Sequence, residues 1–169
     1  RAAARLAASS PGRRGAPRDD VAGVPAGRTV PVAVGVASSL RGTVPAPAGT
    51  AKSGHAVEAL FYGDGVHLTA RAPIDVPAIG ADFFVCSPYK FLGPHLGIWT
   101  ARADLLESLR PDKLLPATDK VPERFEFGTL PYEMLAGVTA AVDYLSGLGS
   151  VGPGPGRRDR LKASFAARE

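Results

Sequence analysis

A chain of 169 residues with 45% apolar and 21% charged side chains has the composition of one globular domain with a real core, and is short for a complete multidomain enzyme. The net charge of +4 rests largely on arginines towards the two ends (among them Arg1, Arg5, Arg13, Arg14, Arg157, Arg158 and Arg160), which lie among Ala, Gly and Pro without interleaved aromatics, so no nucleic-acid face is expected. The single cysteine, Cys86, excludes an intrachain disulfide and makes a reducing, cytoplasmic setting the default, while no apolar run is long enough for a membrane span or shaped like a secretory signal.

Residues 1–27 are rich in Ala, Arg, Gly and Pro and nearly devoid of large side chains, so they are expected to be poorly ordered: too little surface can be buried to offset chain entropy. Thr29 to Ala37 is β-rich and apolar and reads as a buried strand, with Pro31 near its start where no ladder donor is missed. A polar loop, Ser38 to Thr43, follows at the strand's carboxyl end. Pro47 to Ala56 reads as a weak helix, interrupted by Gly49, Thr50 and Gly54. Ala59 to Gly63 is a second apolar strand ending at Asp64. After the loop Gly65 to Pro73, a helical turn is expected at Asp75 to Ile79, capped by Asp75. Asp82 to Ser87 and Leu96 to Thr100 read as further strands, Asp104 to Leu109 as a short helix, and Pro111 to Phe127 as an irregular crossing segment. Met134, Leu135, Val138, Ala141, Val142 and Leu145 recur at helical spacing within Pro131 to Leu148. A Gly/Pro linker, Gly152 to Gly156, leads to a final helix at Arg158 to Ala167.

Strand, crossover helix and strand in succession imply an α/β domain, a mainly parallel sheet flanked by helices, in which ligands sit at the carboxyl ends of strands. Ser39, Asp64 and Ser87 to Lys90 all fall at such ends. An amine at one strand end and a carboxylate at another suit pyridoxal phosphate: the lysine forms a Schiff base with its aldehyde and the carboxylate keeps its ring nitrogen protonated. Partial burial of Lys90 is expected, because it favours the neutral, nucleophilic amine. Each residue also has a duller reading. Lys90 can be a snorkelling surface lysine, Asp64 the acceptor of an ordinary Asp-Gly turn, His67 a loop histidine, and Ser87 and Gly128–Thr129 routine turn residues. Cys86 reads as an inert, part-buried thiol. His55 and His95 lie far apart with no ligand-spaced partners, so no metal site is expected.

The stretches Val34–Thr43, Asp64–His67, Ala72–Val76 with Gly80–Phe83, Cys86–Lys90 with Gly93–Pro94, and Phe127–Pro131 together resemble the aminotransferase class V fold, in particular its cysteine desulfurase-like branch. Their order and the Asp-to-Lys spacing (90 − 64 = 26) match that family from about residue 28 to 149. The resemblance implies a partial large domain of a fold-type I pyridoxal phosphate-dependent transferase over 28–149, with 150–169 a linker and truncated helix. It makes Lys90 the Schiff-base lysine, Asp64 the partner of the pyridine nitrogen, His67 a neighbour of the phenolic oxygen and Ser87 a phosphate ligand. Thr129 would reach the phosphate of the neighbouring subunit in a homodimer, and the substrate would be an amino acid. Three departures stand out. Ser39 occupies a position usually held by a cofactor-contacting asparagine, Tyr89 replaces the histidine common before the lysine, and Gly63 and Gly65 bracket Asp64, which reads as a loosely held carboxylate. No cysteine matches the desulfurases' mobile-loop nucleophile. The chain therefore reads as the middle of a larger enzyme or, alternatively, as a non-catalytic remnant or an α/β anion-binding module.

Overall fold

A computed structural model of the chain describes residues 5–6, 31–38, 42, 44, 46–149, 154 and 156–167. Alternation along the strands builds its centre. Val32 and Val34 of β2 (Pro31–Gly35), Phe61 and Gly63 of β3 (Leu60–Asp64) and Phe84 of β4 (Phe83–Cys86) meet in register, Val32 beside Phe61, Val34 beside Gly63 and Gly63 beside Phe84. One face of the sheet is thereby apolar and buried. Ala51 of helix α1 (Pro47–His55), the strand-flanking Ala59 and Ala81, and Leu68 complete this core, and Val76 and Ile79 of helix α2 (Val76–Ile79) pack against it. α1 has little intrinsic helix preference; it forms because Thr50, Ala51 and Gly54 are buried against the sheet, tertiary packing outweighing propensity. Asp75 caps α2 as expected, its Oδ1 accepting from the Ala78 N–H at 3.1 Å, and Gly80 ends it at φ 75°.

The sheet runs in the order β1-β2-β3-β4-β5, with β1 at Arg5–Leu6 and β5 at Ile98–Ala101. β1 to β4 are parallel and β5 is antiparallel to β4, Phe83 pairing with Ala101 and Cys86 with Ile98. The mainly parallel α/β expectation holds, and the strand expected at Leu96 to Thr100 is its antiparallel edge. The reason is connection length: parallel neighbours need a long crossover, whereas the chain between Cys86 and Ile98 reverses through a 3-10 helix, Pro88–Phe91. Arg5–Leu6 lies inside the stretch expected to be poorly ordered and pairs with Val32 and Ala33; the rest of that stretch lies outside the described residues.

Beyond β5, helix α3 (Ala103–Ser108) leads into the irregular segment, which carries a second 3-10 turn at Glu123–Phe125. Buried Arg124 pins that segment: its guanidinium donates to the carbonyls of Leu106 and, at 3.2 Å, Asp119, and pairs with Glu107 at 3.4 Å. Helix α4 (Tyr132–Ser146) buries only Ala141, Leu145 and Ser146, so Met134 and Leu135 of the expected apolar stripe stay 36% exposed. It packs against helix α5 (Arg157–Ala166), with Arg157 paired to Asp143 at 3.0 Å. The second face of the sheet carries rings: Tyr62, Phe83, Trp99 and Phe125 follow one another at centroid distances of 5.9, 5.4 and 5.5 Å.

Candidate cofactor site

β2, β3 and β4 point the same way, so their carboxyl ends share one edge of the sheet. Gly35 is in register with Asp64 and Asp64 with Val85, and two further bonds carry the ladder past the last paired residues: Val36 N–H to Asp64 O at 2.9 Å and Gly65 N–H to Val85 O at 2.8 Å. Asp64 is exposed and closes its own turn, Oδ1 accepting from the Val66 N–H at 3.0 Å. Its Oδ2 carries no hydrogen bond from a described residue. The two flanking glycines do not loosen the backbone of the turn. Both glycines are buried under the Phe84 ring, a Cβ on Gly63 meeting Cδ2 at 3.1 Å and one on Gly65 overlapping the ring's tip. The glycines are spacers for that aromatic side chain, and the backbone of the Asp64 turn is fixed between it and β4.

On the neighbouring strand, Ser87 leaves the sheet and Pro88 begins the 3-10 turn that presents Lys90, whose N–H donates to Ser87 O at 3.1 Å. Lys90 is exposed, not part-buried as expected, because this turn steps off the sheet edge away from the core. Its Nζ lies 4.9 Å from the centre of the Tyr89 ring, which stacks on His95 at 5.0 Å and 11°. Ser87 is half-buried with its hydroxyl unbonded, and His67 is half-buried in the turn after Asp64, its imidazole likewise unbonded among the described residues. Thr129 is exposed after Gly128 (φ 141°), and no hydrogen bond joins it to Asp64, Ser87 or Lys90. Ser39 lies outside the described residues. The sheet edge thus offers an amine, a carboxylate and a hydroxyl at the ends of neighbouring strands.

Two neighbours of the edge have altered acidities. Burial, with a smaller contribution from the negative charge of Asp64, raises the Tyr62 phenol above its usual value. Burial alone raises the Cys86 thiol, which keeps it protonated and fits its reading as an inert side chain.

Sequence reasoning overlooked a constellation at the opposite end of the sheet. Asp82, 3% exposed at the start of β4, accepts from the Phe61 N–H at 2.8 Å, lies 2.8 Å from His55 Nε2, and pairs with Arg102 at 3.4 Å. The available signal was an acid directly before the apolar run Phe83–Phe84–Val85, since a carboxylate there must find partners on the flanking elements. Among the described residues no cluster of His, Cys, Asp and Glu could hold a metal, and no helix is long and apolar enough to cross a membrane.

Comparison with known proteins adds a second line of observation. The family model of aminotransferase class-V matches residues 17–151. The chain is 32% identical over 124 residues to a cysteine desulfurase of Haloferax volcanii, covering 66% of this chain and 29% of that protein. It is 33% identical over 135 residues to a cysteine desulfurase of Klebsiella pneumoniae, covering 72% of this chain and 33% of that protein. Among solved structures, a cysteine desulfurase from Escherichia coli superposes with a TM-score of 0.63 at 24% identity, over 71% of this chain and 33% of that one. A NifS-like protein from Rickettsia africae superposes with a TM-score of 0.61 at 20% identity, over 85% and 35%. These two likenesses show a shared fold. The chain spans about a third of the length of the curated relatives it matches.

Proposed function

Because this chain belongs to the aminotransferase class-V family, we propose that it is the lysine-bearing part of a pyridoxal phosphate-dependent, cysteine desulfurase-like enzyme that acts on an amino acid through a Schiff base at Lys90. The observation that carries this reading is the parallel pairing of β3 with β4, which sets Asp64 at one strand end and Lys90 in the turn after the next. When bound, pyridoxal phosphate supplies an aldehyde for the amine and a ring that accepts electrons from the substrate carbon.

The residues at the edge fit such a group by the chemistry they leave unused. Among the described residues none donates to Asp64 Oδ2, which is therefore offered to a protonated ring nitrogen. Ser87 offers a phosphate oxygen a hydroxyl, and His67 a phenolic oxygen an imidazole, that no described residue bonds. Lys90 is exposed, so its amine is within reach of an incoming aldehyde. Ser39 completes the set as a cofactor contact, and Thr129 serves the phosphate of a partner subunit in a homodimer. Residues 28–149 form the partial cofactor-binding domain, with 150–169 a linker and helix, and a cytoplasmic location accords with the lone unpaired thiol.

Two observations favour a second reading: Lys90 and Asp64 are both exposed, and Asp64 already serves its own turn, which suits a non-catalytic remnant. Family membership sets aside the unrelated anion-binding module. Mixing the purified chain with pyridoxal phosphate separates the two that remain. An imine absorbance band that is lost in Lys90→Ala is the expected result; a parent chain with no band would leave only the remnant.

A further inference from the structure

We propose that Tyr89, backed by His95, is a positioning residue for the amine of Lys90. The inference rests on the reading of Lys90 as the aldehyde-capturing group, and adds what aims that amine.

The loop from Ser87 to His95 is built to hold one ring. Pro88 is fully buried and fixes the start of the 3-10 turn, with Lys90 N–H on Ser87 O at 3.1 Å and Gly93 N–H on Pro88 O at 2.9 Å. Leu92 turns the chain back at φ 69°, a left-handed conformation held by that closure. Gly93 then passes so close to Pro88 that a Cβ would sit 2.7 Å from the proline Cβ. The reversal returns Pro94 and His95 alongside the turn, and His95 lies flat on Tyr89 at 5.0 Å and 11°. Tyr89, 42% exposed, is therefore fixed by stacking rather than by burial.

The same ring lies 4.9 Å from Lys90 Nζ, inside the range over which an aromatic face attracts an ammonium. Among the described residues no carboxylate pairs with that Nζ. A lysine carries its charge on a flexible four-carbon stem, so with no ion pair to hold it the ring face is what narrows its directions. The protonated imine formed when an amine captures an aldehyde with loss of water is also a cation, and the ring attracts it for the same reason. The face of the ring is what matters, not the hydroxyl, so phenylalanine replaces tyrosine and leucine does not.

Two measurements on the whole chain test this. In proton NMR, the ε-methylene of Lys90 is expected upfield of the other lysines through the ring current of Tyr89, in the parent and in Tyr89→Phe but not in Tyr89→Leu, with a smaller displacement in His95→Ala. With pyridoxal phosphate added, the imine band is expected to show induced circular dichroism in the parent and Tyr89→Phe, while Tyr89→Leu keeps the absorbance and loses the dichroism. Far-ultraviolet spectra matching the parent confirm that the variants fold. No upfield displacement in the parent, or undiminished dichroism in Tyr89→Leu, overturns the inference. A parent that shows the displacement and forms no imine instead removes the reading of Lys90, and this role with it.

Discussion

Gly65 is decided by a neighbour across the sheet. Its φ is not in the left-handed region, so space and not conformation requires glycine here: a Cβ would overlap the Phe84 ring tip and lie 2.7 and 2.8 Å from the two Cε atoms. Phe84 is 4% exposed within the core and has no room to swing aside. Gly65→Ala should therefore cost ~1–3 kcal/mol through overpacking. In urea this appears as a lower midpoint with an unchanged slope; a midpoint equal to that of the parent would mean that the ring yields. The chemistry-bearing residues at this edge were legible in the sequence because residue type and strand end are local properties. Exposure of Lys90 was not, since it follows from the 3-10 turn after Cys86, and periodicity carries no signal for a single such turn. The Tyr89–His95 stack was equally hidden: it depends on a reversal through Leu92, a residue type that rarely takes a positive φ.

At the level of elements, alternation and turn residues located the strands closely. Val32 and Val34, then Phe61, repeat every second position between Pro, Gly and Asp, and the Asp75 cap and the Pro131 start of α4 are likewise written in residue types. What ties the elements together was less legible, because it is done by one buried carboxylate whose partners are far off in sequence. Asp82 receives the Phe61 N–H of β3, faces His55 at the end of α1, and pairs with Arg102 at the start of α3. The His55 and Arg102 side chains are 42% and 58% exposed, so both rehydrate if the carboxylate is removed. The Phe61 amide cannot, since its residue is fully buried. The loss in Asp82→Ala should accordingly be set by that one unsatisfied donor, ~1–3 kcal/mol, rather than by the lost His55 and Arg102 contacts. Asp82→Asn retains an acceptor and should recover part of it. Hydrogen exchange at the Phe61 amide, read beside the urea midpoint, checks the assignment: equal protection in parent and Asp82→Ala would show that the carboxylate is not what holds β3 to β4.

Across the whole molecule the two faces of the sheet are treated unequally. Among the described residues α1 and α2 cover the Val32–Phe61–Phe84 face and no helix covers the other, whereas parallel sheets are ordinarily covered on both. On the second face, Pro31, Tyr62, Phe83, Trp99 and Phe125, with Leu109 and Pro111 at the side, line a groove of about 370 Å³. Trp99 is 38% exposed within it and is the only tryptophan of the chain, which makes its fluorescence a reporter for this surface alone. Apolar area left in water costs ~25 cal/mol per Å², so an apolar dye should enter the groove in preference to bulk water. With 8-anilinonaphthalene-1-sulfonate, saturable dye emission excited through Trp99 is the expected signal. Trp99→Leu should keep the binding and lose the transfer. Phe125→Glu, which removes a ring and sets a negative charge against the sulfonate, should weaken the binding itself. Dye emission that is absent, or indifferent to Phe125→Glu, would show that the rings close on one another in solution and that the second face, like the first, is protected from water by side chains of this chain.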